Sequence, residues 1–484
     1  MSMHLSQLLR VLPSAVFAGN ANVDVTTLTD DSRRVKSGSL FIAIAGSKAD
    51  GASFALQALE RGALAVVSQL EAPAGKQSQW IQVADAKLAR LHLAQEFYGN
   101  PFASLQVHGV TGTSGKTTTA FLMEGVLKAA GYKVAMLGTV CSRIGNRSVP
   151  AELTTPSLLD LHAFAAEAVA EKCTHFVMEV SSHALDQARV AGMSFDSCLF
   201  SNLSRDHLDY HETFEAYFAA KKLLFTQYRR GVAVINVDDS FGLRLANELA
   251  AQGVSATKVS RIGAKADVIP SHVIVNEAGL EFTLSPLVLG SVKSHLRGEF
   301  NLDNVLLVCG WAIAYKLPEA ALRKALLEVQ VPGRFEMAFS DGARHVVVDY
   351  AHKPDALERV LATARALCKR KLVVVVGCGG DRDHGKRPLM GRIAEDACDV
   401  CFVTSDNPRT ENPAEIIQAI LAGMQKKNHV VIEDRALAIQ AACRTLGAGD
   451  WLVVAGKGHE DYQIIGTTKH PFDDRKVVRE AFGC

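Results

Sequence analysis

Short apolar runs recur along the chain, and longer segments of mixed polarity separate many of them. The runs are typical of strands, and the segments between them are long enough to form helices. The pattern predicts helices at 53–61 and 120–130. It predicts strands at 39–44, 63–67, 105–110, 175–180, 197–202, 232–236, 345–349, 372–377, 400–404 and 451–455. Strands that alternate with helices indicate an α/β fold with parallel sheets that carry helices on both faces.

Two turn-forming segments interrupt this pattern, Tyr98-Gly99-Asn100-Pro101 and Val331-Pro332-Gly333-Arg334. They predict a smaller α/β domain at 1–101, a central parallel-sheet domain at 102–335 and a C-terminal domain at 336–484. The length of 484 residues fits about three domains. We expect the last two domains to be separate doubly wound sheets with a cleft between them, where ligands commonly bind.

Composition and charge exclude several classes of function. The 52 basic residues nearly balance the 51 acidic ones, which gives no electrostatic reason to expect nucleic acid or an anionic membrane as a partner. No apolar run is long enough to span a bilayer. The ten cysteines show no repeating spacing, as is typical of reduced thiols in the cytoplasm. One pair, Cys398 and Cys401, is expected to lie at the start of a buried strand and not to form a redox or zinc site.

The segment from Val107 to Thr119 has the layout of a phosphate-binding loop, with a strand, a Gly-rich turn, Lys-Thr and a helix. Lys116 is expected to reach the nucleotide phosphates, and the Thr117 hydroxyl to bind Mg²⁺. The match to the general pattern is imperfect, because Val110 stands where that pattern has glycine. The alternative is a Gly-rich turn without a ligand, which the order of the elements disfavours.

Candidate metal ligands follow the next two predicted strands. Glu179 ends one of them, where a carboxylate is well placed to hold Mg²⁺. His207 and His211 are four residues apart and are expected to share a helical face, with one of them acting as a ligand. Lys221 and Lys222 lie in an apolar helical stretch, and an ammonium beside a dication would be unfavourable.

Four polar loops follow strands in the last third of the chain. They begin at Asp349, Gly377, Ser405 and Gly456 and are rich in Gly, Asp, Arg and His. The carboxyl ends of parallel strands lie at one edge of a sheet, so the four loops should converge there. In any one loop these residues could simply stabilise a turn, but four such loops together indicate a binding site.

These motifs together resemble the Mur ligase family over nearly the whole chain. The resemblance rests on Asp31-Ser32-Arg33, Gly112-Thr113-Ser114-Gly115-Lys116-Thr117-Thr118, Thr154-Thr155-Pro156, Glu179-Val180-Ser181-Ser182-His183, Asn202-Leu203-Ser204-Arg205-Asp206-His207-Leu208-Asp209, Tyr350-Ala351-His352, Asp406-Asn407-Pro408-Arg409 and Gly456-Lys457-Gly458-His459-Glu460. It implies a UDP-sugar-binding N-terminal domain, a central P-loop-type ATPase domain and a C-terminal Rossmann-like domain that binds an amino acid.

The resemblance also implies a reaction. The family member with the most similar motifs adds meso-diaminopimelate to the D-glutamate γ-carboxylate of UDP-N-acetylmuramoyl-L-alanyl-D-glutamate, with ATP, Mg²⁺ and an acyl-phosphate intermediate. We therefore expect an ADP-forming ligase of peptidoglycan precursor synthesis, which serves cell shape and division, and a monomer in the cytoplasm. An L-lysine-adding homologue, a folylpolyglutamate synthase and a P-loop regulatory ATPase remain alternatives.

Site residues follow from the same resemblance. Lys116, Lys221, His207 and Glu179 are the expected catalytic residues. ATP is assigned to Gly112, Thr113, Ser114, Gly115, Lys116, Thr117, Thr118, Asn301, Arg334, Asp349 and His352. The UDP-muramoyl-dipeptide is assigned to Asp30, Ser32, Ser47, Lys48, Ala49, Thr154, Thr155, Ser181, Gln187 and Arg189. The metal ligands are Thr117, Glu179, His207 and Lys221 as its carbamate, a modification that turns the cation into a carboxylate. Leu153 departs from the asparagine that the family often has there.

The amino-acid pocket is assigned to the last loops. The expected residues are Arg382, Asp406, Asn407, Pro408, Arg409, Gly456 and Glu460. Diaminopimelate differs from L-lysine by a second carboxylate, which Arg409 can bind with two parallel charge-assisted hydrogen bonds. Glu460 is expected to face the distal ammonium. A site built around Arg409 should reject lysine, which would leave the guanidinium without its partner.

Overall fold

The computed structural model describes residues 2–44, 51–151, 153–263, 265–285 and 290–484. The first part of the chain forms a four-stranded parallel sheet in the order β3-β4-β5-β6. Leu40, Ile42, Val67 and Ile81 of this sheet are buried in its core. The predicted strands at 39–44 and 63–67 are confirmed with shifted ends. The elements are β1 (Met3–His4), α1 (Leu5–Arg10), β2 (Asp24–Val25), β3 (Thr27–Thr29), β4 (Ser39–Ile42), α2 (Ala55–Glu60), β5 (Ala65–Ser68), β6 (Trp80–Gln82) and α3 (Ala86–Tyr98).

The middle of the chain forms an eight-stranded sheet in the order β10-β9-β8-β11-β7-β12-β13-β14. Its elements are β7 (Gln106–Thr111), α4 (Lys116–Ala129), β8 (Val134–Leu137), β9 (Cys141–Ile144), β10 (Arg147–Pro150), α5 (Leu158–Ala170), β11 (His175–Glu179), α6 (Ser182–Asp186), β12 (Phe195–Phe200), α7 (Leu208–His211), α8 (Phe214–Thr226), β13 (Arg229–Asn236), α9 (Ser240–Ala251) and β14 (Thr257–Val259). Strands β11, β7 and β12 are parallel, as predicted, and β8, which was not predicted, runs parallel to them, so their carboxyl ends share one edge.

Antiparallel strands were not predicted in this part of the chain. β9 and β10 form a hairpin at the sheet edge, and a separate three-stranded antiparallel sheet follows β14. The latter consists of β15 (Ile269–Asn276), β16 (Gly279–Ser285) and β17 (Ser291–Ser294), and precedes α10 (Glu299–Ala314) and α11 (Glu319–Glu328). The expectation of strictly alternating strands and helices over 102–335 was wrong here. These strands are partly exposed, so they lack the continuous apolar runs that mark strands buried on both faces.

The last part of the chain forms a six-stranded sheet in the order β18-β19-β23-β20-β21-β22. Its elements are β18 (Glu336–Ser340), β19 (His345–Asp349), α12 (Pro354–Leu367), β20 (Leu372–Val376), α13 (Lys386–Ala397), β21 (Val400–Val403), α14 (Pro413–Leu421), β22 (His429–Val431), α15 (Arg435–Arg444), β23 (Trp451–Ala455), β24 (Tyr462–Ile465), β25 (Thr468–Pro471) and α16 (Asp474–Phe482). β19, β23, β20 and β21 are neighbouring parallel strands. The four polar loops therefore leave one edge of the sheet, which confirms their predicted convergence.

Contacts along the chain divide it into two compact units. One comprises Met1–Lys116, Ala130–Val234 and Arg244–Ala256, and contains the four-stranded sheet. The other comprises Thr117–Ala129, Ile235–Leu243 and Thr257–Cys484, and contains the three-stranded and six-stranded sheets. The division at 1–101, 102–335 and 336–484 stays a prediction.

All ten cysteines are free thiols, and Cys398 and Cys401 are buried where β21 begins, as expected. A hydrogen bond with Cys398 and burial raise the pKa of the Cys401 thiol well above its ordinary value, so this thiol is not activated. Among the described residues, no helix combines the length and the apolar character needed to cross a bilayer.

Candidate active site

The loop between β7 and α4 has a backbone shaped for an anion. Gly112 and Gly115 have φ of +149° and +87°, and a Cβ on Gly112 would collide with Ser201 Oγ. The Thr113 amide donates to Asn202 O at 2.8 Å, and the Ser114 amide donates to Asn202 Oδ1 at 3.0 Å. Helix α4 begins at Lys116, so the N–H groups of its first turn, which have no acceptor within the helix, lie at the loop. Strand, turn and helix thus have the layout predicted from the sequence.

Two lysine ammonium groups meet at one carbonyl oxygen of this loop. Lys116 Nζ and Lys221 Nζ each donate to Gly112 O at 2.8 Å. Lys221 is 1% exposed, and its ammonium lies 4.5 Å from the centre of the Tyr217 ring. Lys222 faces away and pairs with Glu248 at 2.6 Å. Only Lys221 of the pair therefore lies at the loop, and the two positive charges favour a polyanion there.

Glu179 is a buried carboxylate at the carboxyl end of β11. Thr139 holds both of its oxygens, because the Thr139 amide donates to Oε1 at 2.7 Å and Thr139 Oγ1 lies 3.0 Å from Oε2. Thr139 Oγ1 also lies 3.0 Å from Thr154 Oγ1. A Cβ on Gly138 would collide with Glu179 Oε1. Thr139 was not predicted as a site residue, because its only signal in the sequence is a hydroxyl just beyond β8, the strand next to β11.

His207 and His211 do not share a helical face, so that expectation was wrong. Helix α7 begins only at Leu208, and His207 has a left-handed backbone with φ of +53°. His207 is partly exposed, and its Nε2 lies 3.3 Å from Asp206 Oδ2. His211 is buried, and its Nε2 lies 2.9 Å from Ser182 Oγ. The one-turn helix is too short to carry residues four apart on one face.

The predicted muramoyl-dipeptide residues form one hydrogen-bonded network around Thr155. The Thr155 hydroxyl donates to Glu179 O at 2.8 Å, and the Ser181 amide lies 3.1 Å from that hydroxyl. Arg189 Nη1 donates to Thr155 O at 2.8 Å, and Arg189 Nη2 donates to Gln187 Oε1 at 2.7 Å. The folded chain thus joins these side chains to the end of β11, although they are distant in sequence.

Arginines contact the two described N-terminal residues that are predicted to bind the UDP-muramoyl-dipeptide. Asp30 Oδ2 accepts from Arg90 Nη1 at 2.9 Å. Ser32 begins a short 3₁₀ turn, and its carbonyl accepts from Arg61 Nη1 at 2.8 Å. The other predicted residues of this group, Ser47, Lys48 and Ala49, lie outside the described residues.

Asp349 and Arg334 lie together at the carboxyl end of β19. Asp349 accepts from the amides of Phe335 at 2.6 Å and Ala351 at 2.7 Å, and burial raises the pKa of this carboxyl to about 6. The Arg334 guanidinium lies 4.9 Å from the centre of the Tyr350 ring. Its Nη2 donates to Thr117 Oγ1 at 3.3 Å, which brings two predicted nucleotide residues into contact.

The other two predicted ATP residues have local partners. His352 Nδ1 lies 2.8 Å from Tyr350 O, and burial lowers the pKa of this imidazole to about 4. Asn301 is buried in α10, where its amide donates to Arg297 O at 2.8 Å and accepts from Asn304 at 3.1 Å.

The loops after β21 and β23 are joined by side chains. Asn407 Nδ2 donates to Glu460 Oε2 at 2.9 Å. Gly456 has φ of +115°, and a Cβ there would lie 2.7 Å from Asp406 Oδ2. Pro408 follows Asn407 and is buried. Five residues of the predicted amino-acid pocket therefore line one small region, as the strand order requires.

The two predicted pocket arginines border the same region. Arg409 Nη1 donates to Gly380 O at 2.7 Å. A Cβ on Gly379 would lie 2.8 Å from that Nη1 and 3.9 Å from Arg382 Cγ. Arg409, which follows β21, therefore lies against the glycines of the loop after β20, and the same loop carries Arg382.

The donors around the phosphate loop are compatible with a hard cation. Glu179 supplies a fixed, buried carboxylate, and Mg²⁺ prefers such oxygen ligands. Within the described ranges, no group of three or more His, Cys, Asp and Glu could hold a metal ion. That finding does not exclude the predicted set, in which two members are a hydroxyl and a modified lysine.

Family models match three stretches of the chain. Residues 24–98 match the Mur ligase family, catalytic domain. Residues 110–312 match the Mur ligase middle domain, and residues 333–458 match the Mur ligase, glutamate ligase domain.

Individual proteins are similar over the full length. The UDP-N-acetylmuramoyl-L-alanyl-D-glutamate--2,6-diaminopimelate ligase of Geobacter metallireducens is 43% identical, over 99% of this chain and 98% of that protein. A solved structure of an enzyme of the same name has a TM-score of 0.71 and 34% identity, over 100% of this chain and 99% of the other. A folylpolyglutamate synthase of Mycobacterium tuberculosis in complex with ADP has a TM-score of 0.63 and 20% identity, over 77% and 92% of the two chains.

Proposed function

Because the chain belongs to the Mur ligase family, we propose that it is the ADP-forming ligase that adds meso-diaminopimelate to UDP-N-acetylmuramoyl-L-alanyl-D-glutamate. The full-length similarity to a diaminopimelate ligase carries this proposal. The reaction belongs to peptidoglycan synthesis. The three-domain plan at 1–101, 102–335 and 336–484 is part of the proposal.

The first chemical step is attack of the D-glutamyl γ-carboxylate on the γ-phosphorus of ATP. It forms an acyl phosphate and releases ADP. Phosphoryl transfer depends mainly on positioning and on neutralisation of charge. Lys116 and the amides at the start of α4 bind the phosphates, and Arg334 beside Thr117 adds a further positive charge.

Mg²⁺ would be held by Thr117, Glu179, His207 and the carbamate of Lys221. When bound, it neutralises charge on the phosphate oxygens. Thr139 orients the Glu179 carboxylate for this role. Reaction of Lys221 with CO₂ would replace its buried ammonium by a carboxylate and remove the repulsion between two cations.

The second step is attack of a diaminopimelate amine on the acyl carbonyl. A C–N bond forms, the amine loses a proton and inorganic phosphate leaves. Arg409 and Arg382 bind the distal carboxylate, and Glu460 with Asn407 binds the distal ammonium. Thr154, Thr155, Ser181, Gln187 and Arg189 hold the muramoyl-dipeptide beside Glu179, and Asp30, Ser32 and 47–49 hold the uridine nucleotide.

The location and oligomeric state complete the proposal. The substrates are ATP, a UDP-linked sugar and a free amino acid, all small molecules of the cytoplasm, and the free thiols fit a reducing compartment. We place the enzyme there as a monomer.

The test measures phosphate release from ATP in the presence of UDP-N-acetylmuramoyl-L-alanyl-D-glutamate. The same protein is given meso-diaminopimelate, L-lysine or no amino acid. We expect release only with diaminopimelate, together with a product whose mass matches the tripeptide.

Other outcomes assign other functions. Release with lysine alone would identify a lysine-adding homologue. Release that ignores every amino acid would favour a regulatory ATPase. Release only when a folate and L-glutamate replace these substrates would favour a folylpolyglutamate synthase, whose fold this chain shares.

A further inference from the structure

Lys457 is a buried lysine that is not among the predicted site residues. It lies in the loop after β23, between Gly456 and Glu460, two residues of the proposed amino-acid pocket. Its side chain is 0% exposed. A lysine is almost never fully buried unless it is paired, so its partners indicate its purpose.

Lys457, Asn407 and Glu460 form a closed triangle of hydrogen bonds. Lys457 Nζ donates to Glu460 Oε2 at 3.0 Å and to Asn407 Oδ1 at 3.1 Å. Asn407 Nδ2 donates to the same Glu460 Oε2 at 2.9 Å. The Ile464 amide also donates to Asn407 Oδ1, at 2.9 Å. These donors leave a single orientation for the Asn407 amide and for the Glu460 carboxylate.

The two oxygens of the Glu460 carboxylate differ in their hydrogen bonds. Oε2 accepts from both Lys457 and Asn407, whereas Oε1 has no hydrogen-bond partner among the described residues. The Glu460 side chain is 15% exposed, so it is accessible at one side. Oε1 is therefore the oxygen that remains for a substrate ammonium.

The buried charge of Lys457 bears on the choice between two amino acids. The distal end of diaminopimelate carries an ammonium and a carboxylate and is neutral overall. The distal end of L-lysine carries only the ammonium, which brings one uncompensated positive charge into the pocket. In a buried environment a fixed cation beside Glu460 repels that charge strongly, while it attracts the distal carboxylate of diaminopimelate.

We propose that Lys457 is a specificity-determining residue whose buried ammonium makes the pocket favour a zwitterionic distal group over a cationic one. It does so by cancelling part of the negative charge of Glu460 and by fixing Oε1 toward the substrate. This inference rests on the proposed function, because it concerns the amino acid that the ligase accepts. Lys457 acts beside Arg409, which selects the carboxylate directly.

The experiment compares kcat/KM for meso-diaminopimelate and for L-lysine in the wild-type protein and in K457Q and K457M. Gln retains an uncharged hydrogen-bond donor on a side chain one bond shorter, and Met retains only the apolar stem. We expect the diaminopimelate-to-lysine ratio to fall by about tenfold or more in both variants. KM for ATP should stay unchanged. The KM for diaminopimelate should rise.

K469M is the matched control. Lys469 is an exposed residue of β25 whose ammonium lies 4.3 Å from the Tyr462 ring, while that of Lys457 lies 5.5 Å from the same ring. Its replacement removes the same charge from the surface and should leave the ratio unchanged. The melting temperature of each variant verifies that it folds. If K457M does not fold, K457Q alone still tests the proposal.

The outcomes separate this inference from the proposed function. A wild-type protein that releases no phosphate with diaminopimelate overturns both. If the wild type uses diaminopimelate but the folded variants have the same diaminopimelate-to-lysine ratio of kcat/KM as the wild type, the role of Lys457 is overturned. The proposed ligase function then stands. A shift in K457M without a shift in K457Q would also overturn it, since charge would then not be the cause.

Discussion

Arg409 is a residue whose backbone, as well as its side chain, is adapted to the proposed pocket. Its φ is +52°, a left-handed conformation that costs a non-glycine residue on the order of 1 kcal/mol. The Arg409 amide donates to Ile464 O at 3.1 Å, and its carbonyl accepts from Gly466 N at 2.8 Å. The β24–β25 hairpin thereby holds Arg409 in place. The sequence predicted the side chain but could not predict the hairpin contacts that orient it.

The change R409A should lower kcat/KM for diaminopimelate by about 100-fold or more, because a buried substrate carboxylate loses a charged donor. KM for ATP should change by less than about twofold, since no nucleotide contact is lost. Initial rates with each substrate varied in turn measure both effects.

R392A is its control, because Arg392 is an exposed arginine of α13 whose Nε lies 3.7 Å from Asp396. R392A should have the kcat/KM for diaminopimelate and the KM for ATP of the wild type. Equal losses for ATP and diaminopimelate in R409A would contradict the assignment.

Helices α15 and α16 are joined to the pocket by a fully buried ion pair between their first residues. Arg435 Nε and Nη2 each donate to the Asp474 carboxylate at 2.8 Å, and both side chains are 0% exposed. Arg435 also donates to Ala455 O at 3.0 Å and to Ser405 O at 3.5 Å. Ala455 and Ser405 immediately precede pocket residues, so the pair fixes both helices to the strand ends that carry the pocket.

The change D474N should lower the free energy of unfolding by about 3–5 kcal/mol, because it leaves the Arg435 charge buried without its counterion. The double change R435M/D474L should lower the free energy of unfolding by less than the sum of the losses caused by R435M and D474L separately. Urea unfolding, followed through the transition that involves the C-terminal sheet, measures these differences.

D396N is the matched control. Asp396 forms an exposed ion pair with Lys426 at 2.6 Å, and solvent screening makes the contribution of such pairs to stability small. A double change that costs as much as the two single changes together would contradict the coupling of the buried pair.

Buried histidines connect the stability of the whole molecule to pH. The rings of His108 and His175 stack at 5.5 Å between neighbouring parallel strands. Burial lowers the pKa of His175 to about 4 and that of His108 well below its ordinary value. Burial likewise lowers the pKa of His352 to about 4 and that of His459 to about 3. The folded protein therefore resists protonation more than the unfolded chain does.

The melting temperature should fall as the pH drops from 7 toward 4.5. A histidine whose folded pKa is about 4 and whose unfolded pKa is about 6.5 contributes stability that is complete above pH 6.5 and is lost between these values. H175Q should reduce the loss of melting temperature over this range, because one such group is removed.

Two buried aspartates act against the loss of stability on acidification, so a control variant is needed to isolate the effect of His175. Burial raises the pKa of Asp303 and of Asp349 to about 6, so each gains stability as the pH falls from about 6 to 4. H470Q, which changes an exposed histidine of β25, should lose stability on acidification as the wild type does. A pH dependence of H175Q identical to that of the wild type would contradict the role of His175.

The α/β class, most strands of the two large sheets and the loops that hold the candidate site could be predicted from the amino-acid sequence alone. These features depend on local periodicity, on glycines at strand ends and on motifs of a few adjacent residues, and all of them are present in the unfolded chain. The predicted phosphate loop and the convergent loops after β19, β20, β21 and β23 are accordingly close to what is found.

Which side chains meet could not be predicted from the sequence and depends on the folded chain. It placed Lys221 on Gly112 and Lys222 on Glu248, set Thr139 on Glu179 and closed the triangle around Lys457. Each contact joins residues from different elements or depends on burial in the folded pocket. Their partners are set by strand order and by the faces that pack together, which local periodicity does not specify.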